Sequence, residues 1–251
     1  MRGHTRGADI LPHEGPTPVD GEIESIIGGR SGAFRAAIFG ANDGLVSNLS
    51  LIMGVAGAGV EPRVILLAGI AGLLAGAFSM GAGEYVSMRV QRELFERLIH
   101  LEAHELAVDP EGETKELAHI LEQRGIPRDL ASPTATALMK DPKVALEVHA
   151  KEELGLDPAE LGSPWGAAMS SFVAFALGAL IPLVPYFFGD GVVAAWTAVG
   201  LSLTALFVIG AMLSRFTNRT WLWSGVRMLA IGGGAALVTY WVGRLLHVTV
   251  S

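Results

Sequence analysis

Charge is missing from five long stretches of this chain, and that absence constrains the fold more than any other feature. Ala36–Val60 has one charged residue in 25, Asp43, and Val64–Met88 has one in 25, Glu84. Trp165–Gly189 and Gly191–Ser214 have none, and Trp221–Gly243 has only Arg227, near its start. About 20 mainly apolar residues carry a helix across the hydrocarbon core of a bilayer. Each stretch is long enough, so the expected fold is an all-α membrane protein with five transmembrane helices. Composition agrees: 17% of residues are charged and 32 are glycine. Soluble domains carry about 25% charge, and membrane helices use more glycine than soluble ones. Pro182 and Pro185 are expected to end or kink the third span near one interface, since proline lacks an N–H.

The residues between spans two and three are of a different kind. Arg89–Leu161 holds 16 acidic and 9 basic residues. Arg89–Ala107 continues from the second span without a breaker, so one long helix should leave the membrane. Asp109-Pro110 opens a second helix to about Arg124, Pro127 or Ser132-Pro133 a third, and Asp141-Pro142 a fourth to about Leu154, closed by Gly155. A capping residue followed by proline in the first turn is a helix-start signal. Leu117, Ile120, Leu121, Leu138, Val144 and Leu146 give these helices an apolar face. The expected division is an N-terminal cytosolic segment, 1–33, then spans one and two over 34–90. A cytosolic acidic helical metal-binding insert follows over 91–163, and spans three to five over 164–247. Residues 1–20 are expected to be disordered. Glu22–Arg35 could form a short interfacial helix with Ile23, Ile26 and Ile27 on one face. No repeat or low-complexity tract interrupts this plan.

Lys and Arg set the orientation. With five spans, the N-terminus, the insert and the Arg215–Arg219 turn share one side. Sixteen of the 18 basic residues fall there, and only Arg63 and Arg244 fall on the other. The positive-inside rule puts the insert in the cytosol. The chain has no cysteine, which excludes disulfides, thiolate metal sites and cysteine nucleophiles. Its net charge of −7 gives nucleic acid no electrostatic footing. The polar Met1–Ala33 lacks the apolar core of a signal peptide, so none is expected.

Asp43 and Glu84 are ionisable groups within apolar spans, and such groups tend to be functional because burying them in lipid is costly. Asp43 lies eight residues past Arg35 and Met80 nine before Arg89, about 12 and 13 Å of helix, so antiparallel spans can bring them to one level. Met80, Glu84, Ser87 and Met88 share one helical face, and Asp43, Ser47 and Ser50 another. Small residues (Gly40, Ala41 and Gly44; Gly76, Ala77, Gly81, Ala82 and Gly83) flank both faces and permit close approach or leave room for a pathway. Carboxylate oxygen with thioether sulfur suits Fe²⁺, Mn²⁺, Co²⁺ or Zn²⁺ better than alkali ions or Mg²⁺. Met80 and Met88 are also ordinary apolar filler, and either carboxylate could instead make a structural bond between helices.

The insert repeats one spacing. Glu102 and Glu105, Glu113 and Glu116, and His149 and Glu153 are each three or four apart on one helical face. If the faces converge, five carboxylates and an imidazole surround one point, and a divalent ion would relieve their repulsion. The same spacing is common on solvated helices. His100, His104 and His119 read as surface residues close enough to be auxiliary ligands, while His4, His13 and His247 carry no signal.

Gly40-Ala41-Asn42-Asp43-Gly44-Leu45-Val46-Ser47, together with Gly76-Ala77-Phe78-Ser79-Met80-Gly81-Ala82-Gly83-Glu84-Tyr85-Val86-Ser87, resembles the vacuolar iron transporter family. The resemblance runs over about residues 34–247 and includes five spans, the acidic insert and the Pro-rich Ile181–Pro185. It implies a homodimer, not an enzyme, that moves Fe²⁺, and often Mn²⁺, out of the cytosol in exchange for protons, with no prosthetic group. It also implies that Asp43 and Met80 line the path with Glu84, and that Glu102, Glu105, Glu113, Glu116 and Glu153 bind metal in the insert. Family members often carry a Met pair where this chain has His149-Ala150. His149 could supply a nitrogen ligand in its place, but Ala150 can supply none. The expected location is a prokaryotic cytoplasmic membrane, with a vacuole-type membrane as the alternative. A manganese or broad divalent-metal exporter is the nearest rival. A membrane-attached di-iron ferroxidase would use Glu116-Leu117-Ala118-His119, but the insert has no second Glu-x-x-His, and such sites need two. A sensor that binds metal without moving it is a third.

Overall fold

The computed structural model describes residues 31–155, 162–217 and 219–250. Nine α-helices run through them: α1 Ser31–Gly57, α2 Pro62–Val108, α3 Pro110–Gln123, α4 Arg128–Leu138, α5 Pro142–Glu152, α6 Pro164–Leu180, α7 Val184–Phe188, α8 Gly191–Thr217 and α9 Trp221–Val250. Four of them, α1, α2, α8 and α9, are long and apolar enough to cross a membrane. α6 is a shorter apolar helix of 17 residues. The proline-rich end of the expected third span is a break: Ile181–Leu183 forms a turn, and α7 resumes with Pro185 in its first turn. Neither Pro182 nor Pro185 can donate a helical hydrogen bond, so the chain turns there at low cost.

α1 is the central element and packs against α6 and α9. Close approach explains the glycines on both faces of the α1–α6 contact. A Cβ on Gly44 would strike the Phe175 carbonyl, and one on Gly178 would strike the carbonyl of Ala41. The helices therefore meet backbone to backbone, as small residues allow in membrane proteins. Leu45, Leu49 and Ile52 of α1 are fully buried, whereas Phe78 of α2 and Trp196 of α8 are 66% and 71% exposed. An apolar exterior is what a bilayer solvates.

α2 is one unbroken helix of 47 residues, about 70 Å long at 1.5 Å per residue. That exceeds the roughly 30 Å hydrocarbon thickness, and its C-terminal half carries the Arg89–Glu93 and Arg92–Glu96 pairs one turn apart. The expected continuity from the second span into Arg89–Ala107 is therefore present. α3, α4 and α5 follow as short helices. Asp109 caps α3, its carboxylate accepting from the Gly112 N–H at 2.9 Å, and Asp141 caps α5 through Lys143 N–H.

Of the two expected openings of α4, Pro127 is the one used: the helix starts at Arg128, and Ser132-Pro133 lies inside it. That register puts Ala131 and Ala135 on the face buried against Leu117 and Leu121, and the packing outweighs the lost proline hydrogen bond. Val144 is 37% exposed; Val148 packs on the small core instead, with Ala145 and His149 buried on the same helix. Residues 31–35 belong to α1, and the rest of the expected Glu22–Arg35 helix lies outside the described residues, as do residues 1–20.

Candidate metal centre

Three turns of chain bring the insert's carboxylates together. α2 delivers Glu102 near its end, and the Asp109 cap and Pro110 reverse the chain so that Glu113, one turn into α3, returns toward it. α5 presents His149, and Glu153 follows at its C-terminal end. One ligand atom from each of Glu102, Glu113, His149 and Glu153 lies within 4.8 Å of the others. His149 Nδ1 is 3.1 Å from Glu102 Oε1, 3.6 Å from Glu113 and 3.8 Å from Glu153.

Burial makes this arrangement costly without a cation. His149 is fully buried and Glu102 is 2% exposed. Neither ring nitrogen of His149 makes a hydrogen bond, nor does Glu102 Oε1. Buried polar atoms are nearly always paired, and two of these orphans, His149 Nδ1 and Glu102 Oε1, belong to the converging group. Burial, followed by the charges of Glu153, Glu113, Glu105 and Glu116, pushes the Glu102 carboxyl up to about 7. Burial likewise raises Glu113, with Glu116 the next cause, and raises Glu153, again with Glu116 next. His149 is held below the ordinary histidine range by burial, partly offset by Glu116. Neutral imidazole beside crowded carboxylates is a donor set that a borderline divalent ion satisfies.

The other candidates divide around this group. Glu105 and Glu116 are exposed and act on it through charge, outside the 4.8 Å set. Ala150 is fully buried beside His149 and offers no donor. His100, His104 and His119 are exposed, and His119 pairs with Gln123 at 2.9 Å.

The second candidate region is a groove of about 280 Å³ between α1 and α2, lined by Asp43, Ser47, Asn48 and Met80 among others, with Phe175 of α6 at its side. Asp43 and Met80 thus share one cavity. Asp43 and Ser47 are exposed on its open side, and Ser47 Oγ donates to the Asp43 backbone carbonyl. Glu84 and Ser87 do not line it. They sit one and two turns further along α2 toward the insert, Glu84 half-buried and Ser87 exposed. Met88 is buried between Ala36 and Ala167 and serves as apolar filler. Asn48 was absent from the sequence reading. Its signal was legible: an amide within an apolar span, five residues past Asp43.

Similarity to known proteins can be set beside this geometry. A family model described as the VIT family matches residues 34–244. The chain is 35% identical over 214 residues to vacuolar iron transporter 1 of Tulipa gesneriana, covering 85% of this chain and 87% of that one. It is 34% identical over 217 residues to vacuolar iron transporter 1 of Arabidopsis thaliana, covering 85% and 86%. It is 36% identical over 231 residues to the vacuolar iron transporter of Acanthamoeba castellanii, covering 90% and 84%.

Proposed function

This chain belongs to the VIT family, and from that premise we propose that it is a membrane iron transporter that carries Fe²⁺ out of the cytosol in exchange for protons. One observation carries the reading. A single unbroken helix, α2, bears Met80 in the groove with Asp43 and, 22 residues or about 33 Å further along, Glu102 in the buried cluster. The insert captures the ion, with Glu102, Glu113, His149 and Glu153 as ligands. Glu105 and Glu116 add charge that concentrates cations near them. The ion then passes Glu84 and Ser87 to Asp43, Ser47 and Met80. Protons from the far side displace it, because a carboxylate in a low-dielectric site trades a cation for a proton readily.

α6 with α7 is the fifth span, at the short end of the spanning range. The insert faces the cytosol, as the basic residues indicate. The domain division stands as 1–33, 34–90, 91–163 and 164–247. The working unit is a homodimer. Asp43 lies on an open face at span depth, where contact with lipid would cost about 2.5–3.5 kcal/mol, and a second copy over the groove removes that cost. The membrane is of the vacuolar type: the named relatives are eukaryotic vacuolar transporters and lend no support to the prokaryotic cytoplasmic membrane expected from sequence.

One observation favours a broader ion range. His149 puts a nitrogen in the cluster, and imidazole with carboxylates also accepts Zn²⁺ and Co²⁺, with Mn²⁺ served by the oxygens. The test is uptake into proteoliposomes with an acidic lumen. Fe²⁺ flux should appear and collapse when a protonophore removes the gradient. Flux unaffected by the protonophore would remove proton exchange, and Mn²⁺ flux without Fe²⁺ flux would replace the substrate.

A further inference from the structure

We infer that Asn48 is the ion's next contact beyond Asp43 and Met80, a neutral oxygen that sets how readily the cation leaves toward the far side. The inference rests on the transport reading above and adds a residue to its path. Asn48 lines the same groove and is only 2% exposed. Its Nδ2 donates to the Ala179 carbonyl of α6 at 2.7 Å. A carbonyl accepts only from the nitrogen end of an amide, so this bond fixes which atom points the other way. That atom, Oδ1, is buried and has no hydrogen-bond partner. An unpaired buried acceptor costs folding free energy, which an ion or its water would recover.

Gly72 of α2 faces this oxygen. A Cβ there would stand 3.0 Å from Asn48 Oδ1, so any side chain larger than glycine's would crowd this oxygen. Amide oxygens are hard ligands for divalent cations. Asn48 is five residues beyond Asp43, about 7.5 Å of helix rise. An ion moving from Asp43 to Asn48 exchanges a full negative charge for a dipole. It is still coordinated but held less tightly, which suits release.

The experiment uses the full chain in proteoliposomes with Fe²⁺ and Mn²⁺ as the ions. Gly72→Ala sets a methyl group 3.0 Å from Oδ1; its nearest new neighbour is the flexible end of Leu51. Maximal flux should fall at least about tenfold, as when a contact to a charge of about 1.5 kcal/mol is lost. Asn48→Asp should lower KM while lowering maximal flux, because the ion is trapped where it was passed on. That split is not what a merely structural role would give, and it decides the matter if Gly72→Ala does not fold. Wild-type flux in Gly72→Ala, or an unchanged KM in Asn48→Asp, overturns the inference. Asp43→Ala run alongside separates the two levels. If it keeps its flux, the path itself is wrong; if it loses flux while both other variants behave as wild type, only Asn48 is wrong.

Discussion

The groove and the insert cluster present opposite densities of charge. The groove offers one carboxylate, a thioether, an amide oxygen and two hydroxyls, those of Ser47 and Ser79, and its acid stands on an open face. The cluster packs three carboxylates and an imidazole within 4.8 Å, two of the four side chains buried, with Glu105 and Glu116 adding field from outside. On the reading proposed here, crowded carboxylates hold an ion and few partly neutral donors let it through. Transport needs both, because a path as acidic as the insert would not release its cargo.

The largest expected effect tests whether the two regions are separable. Asp43→Ala should reduce iron flux more than about 100-fold, since even partners of metal ligands cost about 10–100-fold. Metal binding by the insert of the same full-length variant, measured with Co²⁺ absorption, should be unchanged. Glu102→Gln should do the reverse at first order: Co²⁺ affinity falls about 10–100-fold, while flux at saturating iron falls far less. If both variants lose both properties equally, the regions act as one site and the contrast collapses.

The next effect is on pH. Glu102 titrates near 7 in the folded, metal-free chain, above its ordinary 4.5. A raised carboxyl pKa means the folded state holds its proton more firmly than the unfolded one. The contribution of this group to stability is therefore fully present below about pH 4.5 and lost as pH rises through about 7. Metal requires the deprotonated carboxylate, so binding runs the other way. Between pH 6 and pH 8 the insert's Co²⁺ affinity should rise about tenfold, with close to one proton released per ion at the lower pH and almost none at the higher. In Glu102→Gln the rise should be smaller. An affinity flat across this range would mean that Glu102 is no ligand.

How much of this was legible in the sequence follows from range. Charge gaps and caps are local signals, so four spans, the 47-residue helix and the caps at Asp109 and Asp141 could be read directly. The spacing that singled out Glu102, Glu113, His149 and Glu153 was also local, but which of the six candidates converge depends on the turn at Asp109 and the seat of α5. That is tertiary packing, and so Glu105 and Glu116 were grouped with their neighbours although they stay exposed. Both possible starts of α4 were legible, but the choice of Pro127 over Ser132-Pro133 goes with Ala131 and Ala135 packing against Leu117 and Leu121, which no capping rule reports. Asn48 is legible only as an amide within an apolar span; that Ala179 takes its nitrogen and leaves its oxygen bare is tertiary packing, which the sequence does not report.

The smallest expected effect sharpens the comparison at the turn that follows the long helix. Asp109 ends the long helix and caps α3, its carboxylate on the Gly112 N–H. Asp109→Ala should cost about 1 kcal/mol of local stability, the usual loss on removing such a cap. Hydrogen exchange should show it as faster opening of the first turn of α3, where Glu113 sits. Against that, Asp109 is one of the charges that push Glu113 upward, so its removal eases deprotonation of a ligand. The two effects oppose each other in metal affinity, and the net change should stay within about fivefold, with iron flux unchanged. A large loss of flux from this variant would mean that the turn does more than shape the insert, and that what happens at the cluster is transmitted along α2 to the groove.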